Sequence, residues 1–206
     1  MRFAGLKTYI VLIMQLVPTI KMERDLRDFY PWCHENGMYI PQEALVDMIR
    51  HQKPHLVLDA RDDDHIGGNI FGSLHAPDSE WERHLPSVID RIKALREETG
   101  VEISDITVVF HCMESARRGP RCAYKLTQYF EDLGIVSPTI KVLEGGAHNW
   151  IHKYFADPTL VENFDDDYWG ILPLDVEAGT EEQFHKDYSR PPDQPATSWS
   201  KAGGAV

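Results

Sequence analysis

Cysteine is scarce in this chain. Its 206 residues hold three, Cys33, Cys112 and Cys122, an odd number at no metal-ligand spacing. That excludes a disulfide-stapled scaffold and a cysteine zinc site, and it fits a reducing compartment. Positive charge is scarce too. There are 21 Lys and Arg against 33 Asp and Glu, a formal net charge of −12. This argues against binding nucleic acid through a broadly basic surface. Long apolar runs are missing: the longest, Tyr9–Ile20, has 12 residues, short of the ~18 that a membrane-spanning helix needs. No segment recurs at a fixed period, so a solenoid or propeller is excluded. The apolar fraction of 42% is still enough for a packed core, and the length fits one domain with tails.

The negative charge is uneven. Residues 157–206 carry 11 Asp/Glu against 3 Lys/Arg, which is −8 of the −12. With Asp165-Asp166-Asp167 and the Pro, Gly and Ser content of 190–206, this stretch reads as an extended, partly disordered tail. Tyr168, Trp169, Ile171 and Leu172 are its candidates for docking on the domain. At the other end, Arg2 and Lys7 precede the apolar Tyr9–Ile20, with no acid before Glu23. That charge order resembles a targeting segment. Pro18 interrupts it, and it has no clear small-x-small cleavage site. Secretory targeting, organellar targeting and a helix packed on the domain all stay open. The expected compartment is otherwise cytoplasmic or nuclear. The division read from the sequence is an extension over 1–36, a catalytic domain over 37–156 and an acidic tail over 157–206.

Between the tails, short apolar runs alternate with amphipathic ones. Strands are expected at 38–40, 55–59, 71–76, 107–110 and 139–143. Pro41 at a first helical position opens a helix bearing Ala44, Leu45, Met48 and Ile49. Ser79–Glu98 reads as one or two helices, with Pro86 starting the second, and Leu85, Val88, Ile89, Ile92 and Leu95 on one face. Further helices are expected over Pro120–Leu133, capped by Gly134, and Ala147–Phe155. Strand–helix alternation of this kind predicts an α/β layered domain with a central, mainly parallel five-stranded sheet. Chemistry in such sheets lies at the carboxyl ends of the strands.

One decapeptide stands at such an end. His111–Pro120, HCMESARRGP, puts Cys112 and Arg118 at C-x5-R spacing between the 107–110 strand and the following helix. A strand, a tight loop and a helix start direct backbone N–H groups at one point, which is a cradle for an anion. Cys112 there is expected as a thiolate nucleophile, activated by the helix end, Arg117 and Arg118. Arg118 is expected to fork onto two oxygens of the anion, which lysine cannot do. Met113, Glu114, Ser115, Ala116 and Arg117 form the rest of the loop. Glu114, Asp62, Asp63 and Asp64 are open candidates for a general acid. Cys122 is either a resolving thiol or core packing. No metal set is expected.

Three segments resemble the rhodanese fold. They are Asp59-Ala60-Arg61 with Gly67–Ser73, Val142–Gly146 with Trp150, and the decapeptide itself. The resemblance covers roughly residues 37–155 and implies a three-layer α/β domain. HC-x-x-S-x-x-RGP is similar to one branch of that superfamily: the M-phase-inducer, dual-specificity phosphatases and the eukaryotic arsenate reductases related to them. In that branch the loop has seven residues, as Cys112–Arg118 does here, whereas the sulfurtransferases have six. The resemblance implies Cys112 as nucleophile and Arg118 as oxyanion binder. His111, Asp59 and Arg61 are then supporting residues, the last two chiefly architectural. It further implies a phosphorylated protein or a small oxyanion as substrate. No cofactor is expected, except glutathione or another thiol as co-substrate for arsenate. The phosphatases' second, protective cysteine in their D-C-R segment is Ala60 here. Sulfur transfer and a non-catalytic binding module are the rival readings.

Overall fold

The computed structural model describes residues 29–170. The segment 1–20, with its targeting pattern, and Ile171 and Leu172 lie outside the described residues. Helix α1 spans Phe29–Glu35, strand β1 Tyr39–Ile40, α2 Gln42–Arg50, and β2 His55–Asp59. Then come β3 at Asn69–Ile70, β4 at Leu74–His75, α3 over Trp81–Thr99 and β5 over Thr107–His111. The chain continues through α4 (Arg118–Leu133), β6 (Thr139–Leu143), α5 (Gly146–Tyr154), β7 (Val161–Glu162) and α6 (Asp166–Trp169).

Five strands form one sheet in the order β1-β6-β5-β2-β4, and every pairing is parallel. β5 is the central strand. Both faces of a parallel sheet are covered, so its strands read as near-continuous apolar runs. Alternation then sends neighbours to opposite layers. Leu56, Leu58, Val108, Phe110, Ile140 and Val142 pack with Cys33 of α1, Val88 and Ile92 of α3 and Leu126 of α4. Val57, Val109 and Leu143 pack on the other side with Leu45 of α2 and Trp150 and Ile151 of α5. The result is the expected three-layer α/β arrangement. Among the described residues no helix is long and apolar enough to cross a membrane.

Two expectations are corrected. Pro86 does not start a second helix; α3 runs unbroken from Trp81 to Thr99. The acceptor that Pro86 leaves without a partner is the carbonyl of Glu82 one turn earlier. Both residues face outward, where water can satisfy it. Pro41 is the cap of α2 and not its first residue. The strand within 71–76 is β4, Leu74–His75, and Asn69–Ile70 ahead of it pairs antiparallel with Val161–Glu162. Packing also reaches beyond positions 37 and 156. Phe29 and Cys33 are buried at one end, and Leu160 and Val161 at the other. Trp169 joins the α2/α5 core and donates its indole N–H to the Gly67 carbonyl at 2.7 Å.

Candidate active site

The decapeptide begins in the middle of the sheet. His111 ends β5, and the chain turns through Cys112–Arg117 into α4. Two glycines set how tightly it turns. A Cβ on Gly119 would stand 3.1 Å from the His111 carbonyl carbon, so a side chain there would press the start of α4 away from the end of β5 by a few tenths of an ångström. Gly146 has φ +60 and faces the loop from α5; a Cβ on it would collide with the carbonyls of Cys112 and Met113. Pro120 follows at the third position of α4, within the first turn, where a missing N–H leaves no bond unmade.

The loop's carbonyls all find partners outside it, as far as they are paired. Cys112 O accepts the N–H of Ala147 and Met113 O that of His148, each at 2.9 Å. Ser115 O accepts the Tyr39 hydroxyl at 2.7 Å, and Arg117 O accepts the N–H of Arg121 at 3.0 Å. No N–H of Met113–Arg117 donates to a protein group among the described residues. Ser115 makes this possible by taking φ +55, a left-handed conformation that reverses the peptide direction within the loop. Its side chain is buried, and its Oγ has no hydrogen-bond partner among the described residues. Cys112 is 4% exposed. Met113 is half-buried, while Glu114, Ala116 and Arg117 are exposed.

Three arginines, Arg117, Arg118 and Arg121, stand at the end of the loop and the start of α4, and two of them are paired. The Arg118 guanidinium forks onto Asp64, with both N···O distances at 2.5 Å, and Nη1 also reaches Asp62 Oδ2 at 3.1 Å. Burial disfavours the Arg118 charge. Asp64, Cys112 and Asp62 outweigh it and hold the guanidinium above its ordinary value. Asp62 also accepts the Ser79 N–H. Burial works against both carboxylates, but the Ser79 N–H and Arg118 hold Asp62 below the usual range, and Arg118 does so for Asp64. Arg121 is tied to Asp78, its Nε donating to Oδ1 at 2.8 Å. Of the three arginines Arg117 faces outward.

Behind the loop lies a buried charged hub. The Arg61 Nε and Nη2 donate to Asp59 at 2.9 and 2.6 Å, and both side chains are fully buried. Arg61 Nη2 also donates to Gly68 O at 2.8 Å, and His75 Nε2 contacts Arg61 O at the same distance. The pair therefore ties the ends of β2 and β4 to the 66–68 turn. Burial resists the Asp59 charge, but His111 and the Arg61 guanidinium bring the carboxyl down to about 2. His111 stands 3.7 Å from Asp59, is fully buried and makes no hydrogen bond through either ring nitrogen. Burial lowers its pKa, against the pull of Asp59. With His111 neutral near pH 7, the charge partner of Asp59 is Arg61.

The other two cysteines sit in the core beside α4. Burial pushes both thiols up to about 12. Cys33 points at Pro120 O, 3.7 Å away, and Cys122 at Asp78 Oδ1, 3.3 Å away. Trp150 is fully buried and donates to Leu160 O. The sequence reading missed Tyr39, Asp78 and the loop-facing start of α5. Val142–Gly146 stands out as a segment of the resemblance, but nothing in the sequence says that its end clasps residues 112 and 113.

The family described as "Rhodanese-like domain" matches residues 41–153. A dual specificity phosphatase, Cdc25, of Arabidopsis thaliana is 31% identical over 118 residues, covering 54% of this chain and 71% of the relative. Arsenate reductase 2.2 of Oryza sativa subsp. japonica is 33% identical over 115 residues, 54% of this chain and 80% of the relative. Among solved structures, Ygr203w, a yeast protein tyrosine phosphatase of the rhodanese family, superposes with a TM-score of 0.56. It is 25% identical, over 64% of this chain and 95% of its own.

Proposed function

We propose that this chain, which belongs to the rhodanese-like domain family, is a cysteine-dependent enzyme acting on a tetrahedral oxyanion at the Cys112–Arg118 loop. One observation carries the reading. Every paired carbonyl of the loop is engaged from outside, while the N–H groups of Met113–Arg117 make no bond to a protein group among the described residues. Unspent donors around a cysteine suit an anion whose negative charge grows during reaction.

The first version is phosphatase chemistry. The Cys112 sulfur forms a bond to phosphorus as the ester P–O bond breaks, and that electron pair leaves on the alcohol oxygen with a proton. Water then cleaves the S–P bond, releasing phosphate and restoring the thiol. Arg118 and the loop amides stabilise the equatorial oxygens. The substrate is a phosphorylated protein or a smaller phosphate ester.

A second version is favoured by a specific observation. Asp62 and Asp64, two of the four candidate acids, are held ionised, so neither suits protonating an alkoxide. Arsenate can instead lose an oxygen as water. Cys112 then carries arsenic(V), and a glutathione thiolate attacks its sulfur. The S–As pair leaves with the arsenic as arsenite, and Cys112 is left in a mixed disulfide that a second thiol reduces. Arsenic gains two electrons, and two thiols become one disulfide.

The test is a panel on freshly reduced protein: p-nitrophenyl phosphate hydrolysis, glutathione-coupled arsenate reduction and thiosulfate:cyanide sulfurtransfer. Phosphate or arsenate turnover is expected, lost in Cys112→Ser. Background rates in all three would leave a binding module, and sulfurtransfer alone would overturn the seven-residue-loop argument.

A further inference from the structure

The fork between Arg118 and Asp64 is the geometry in which a guanidinium receives two oxygens of a phosphate: two parallel N–H···O bonds to one planar carboxylate. The acid comes from far along the chain, 54 residues away, on the connection between β2 and β3. That connection is well anchored. The Asp59–Arg61 pair fixes its start, and Arg61 Nη2 holds its far end at Gly68. Asp62 is further tied to the Ser79 N–H. Apart from Arg118, the partners of the Asp64 carboxylate among the described residues are local backbone N–H groups, that of Asp62 at 3.1 Å and its own. Its carboxylate can thus leave Arg118 without disturbing the buried hub. The Arg118 and Asp64 side chains are 22% and 29% exposed, so water screens the pair only in part.

We propose that Asp64 is an internal anion that occupies Arg118 until an oxyanion displaces it, and so sets which anions the loop accepts. The inference rests on the proposed oxyanion reading of the loop. A ligand must recover, from the loop N–H groups and Arg118 together, more than the Asp64 contact supplies. A tetrahedral dianion has oxygens for both sets of donors. A planar monocarboxylate has two oxygens and can replace only what Asp64 already provides. Asp64 is therefore a positioning and specificity-determining residue that makes no contact with the reacting atoms.

Titration calorimetry of the full chain with inorganic phosphate tests this, on wild type, Asp64→Asn, Asp64→Ala, Asp63→Asn and Arg118→Ala. Removing the competitor is expected to tighten phosphate binding about fivefold or more in both Asp64 variants. Asp63 is exposed and has no bond to Arg118, and a general acid acts on the leaving oxygen during turnover, which the binding of inorganic phosphate does not involve. Its Asn variant removes the same charge from the same connection and should stay within about twofold of wild type, as expected for a solvent-screened charge. The gain should vanish when Asp64→Asn is combined with Arg118→Ala. Unchanged or weaker binding in both Asp64 variants, with wild-type circular dichroism, overturns the proposal. An equal gain in Asp63→Asn overturns it too, since only bulk charge would then matter. In those cases wild-type binding that Arg118→Ala abolishes leaves the oxyanion reading standing. If wild type and every variant fail to bind phosphate, that reading falls and this inference falls with it.

Discussion

At the scale of single residues, the three cysteines should separate by chemistry. Burial holds Cys33 and Cys122 at about 12, and both lie in the core against an acceptor. Thiolate is the reactive form. Iodoacetamide at neutral pH should therefore alkylate Cys112 first, and bound phosphate should slow that reaction. Peptide mass spectrometry over time would show the order; equal rates at all three sites would contradict it. Arg118 gives a second prediction. Lysine can supply the charge but not the fork. Arg118→Lys should lower kcat/KM by roughly a hundredfold, the scale of losing one oxyanion donor, and steady-state kinetics would measure it. Cys112 and Arg118 were both legible in the sequence because their spacing is local. The pairing of Arg118 with Asp64 was not, since it joins residues 54 apart through the fold.

At the scale of elements, the loop depends on the start of α5. Gly146 lies at φ +60 against the carbonyls of Cys112 and Met113, which accept the next two N–H groups of the helix. Gly146→Ala should push the loop outward. We expect turnover to fall more than about tenfold, since small misplacements of catalytic groups are costly, with a stability loss of about 1–3 kcal/mol. Activity and urea unfolding of the same preparation would check both. An unaffected enzyme would mean that the clasp does not set the loop. The regular elements near this site were readable because hydrophobic pattern and punctuation agree: β5 carries the apolar run Val108–Phe110, β6 holds Ile140, Val142 and Leu143 around Lys141, and Gly134 ends α4. β3 and β7 were not, because each is two residues long and their pairing joins Asn69 to Glu162 across the fold, beyond any local pattern.

At the scale of the molecule, buried titrating groups predict acid sensitivity in two steps. His111 is held below its ordinary value by burial, and His152 is brought to about 4 by burial and then His148. As pH falls through about 6.5, the unfolded chain takes up protons that the folded chain refuses, so stability falls. Asp59 sits at about 2 when folded, against 3.8 as its unperturbed value. Its contribution is complete above pH 3.8. It is lost as pH drops toward 2, because the unfolded carboxylate protonates first, by about 2 kcal/mol in all. Urea midpoints between pH 7 and pH 2 should decline in both windows, and a flat profile between pH 6.5 and 4 would contradict the first. Breaking the Asp59–Arg61 pair by Arg61→Ala should cost about 3–5 kcal/mol, as for other buried pairs that lose one partner. The outline of the sheet followed from alternating apolar segments, but the edges of the packed body did not. Residues 157–170 are acidic and polar, so composition reads them as tail. They are held by a few anchors, Leu160, Val161 and Trp169, which composition cannot weigh.

The central claim is that Cys112 bonds to the oxyanion during turnover. Acid quenching of the enzyme during p-nitrophenyl phosphate turnover, and separately during arsenate turnover with glutathione, followed by peptide mass analysis, tests it directly. The account predicts a phosphoryl group on Cys112 in the first case, or a glutathione mixed disulfide on Cys112 in the second, and neither adduct at position 112 in Cys112→Ser. Turnover of either substrate with Cys112 unmodified, or turnover that persists in Cys112→Ser, would contradict it.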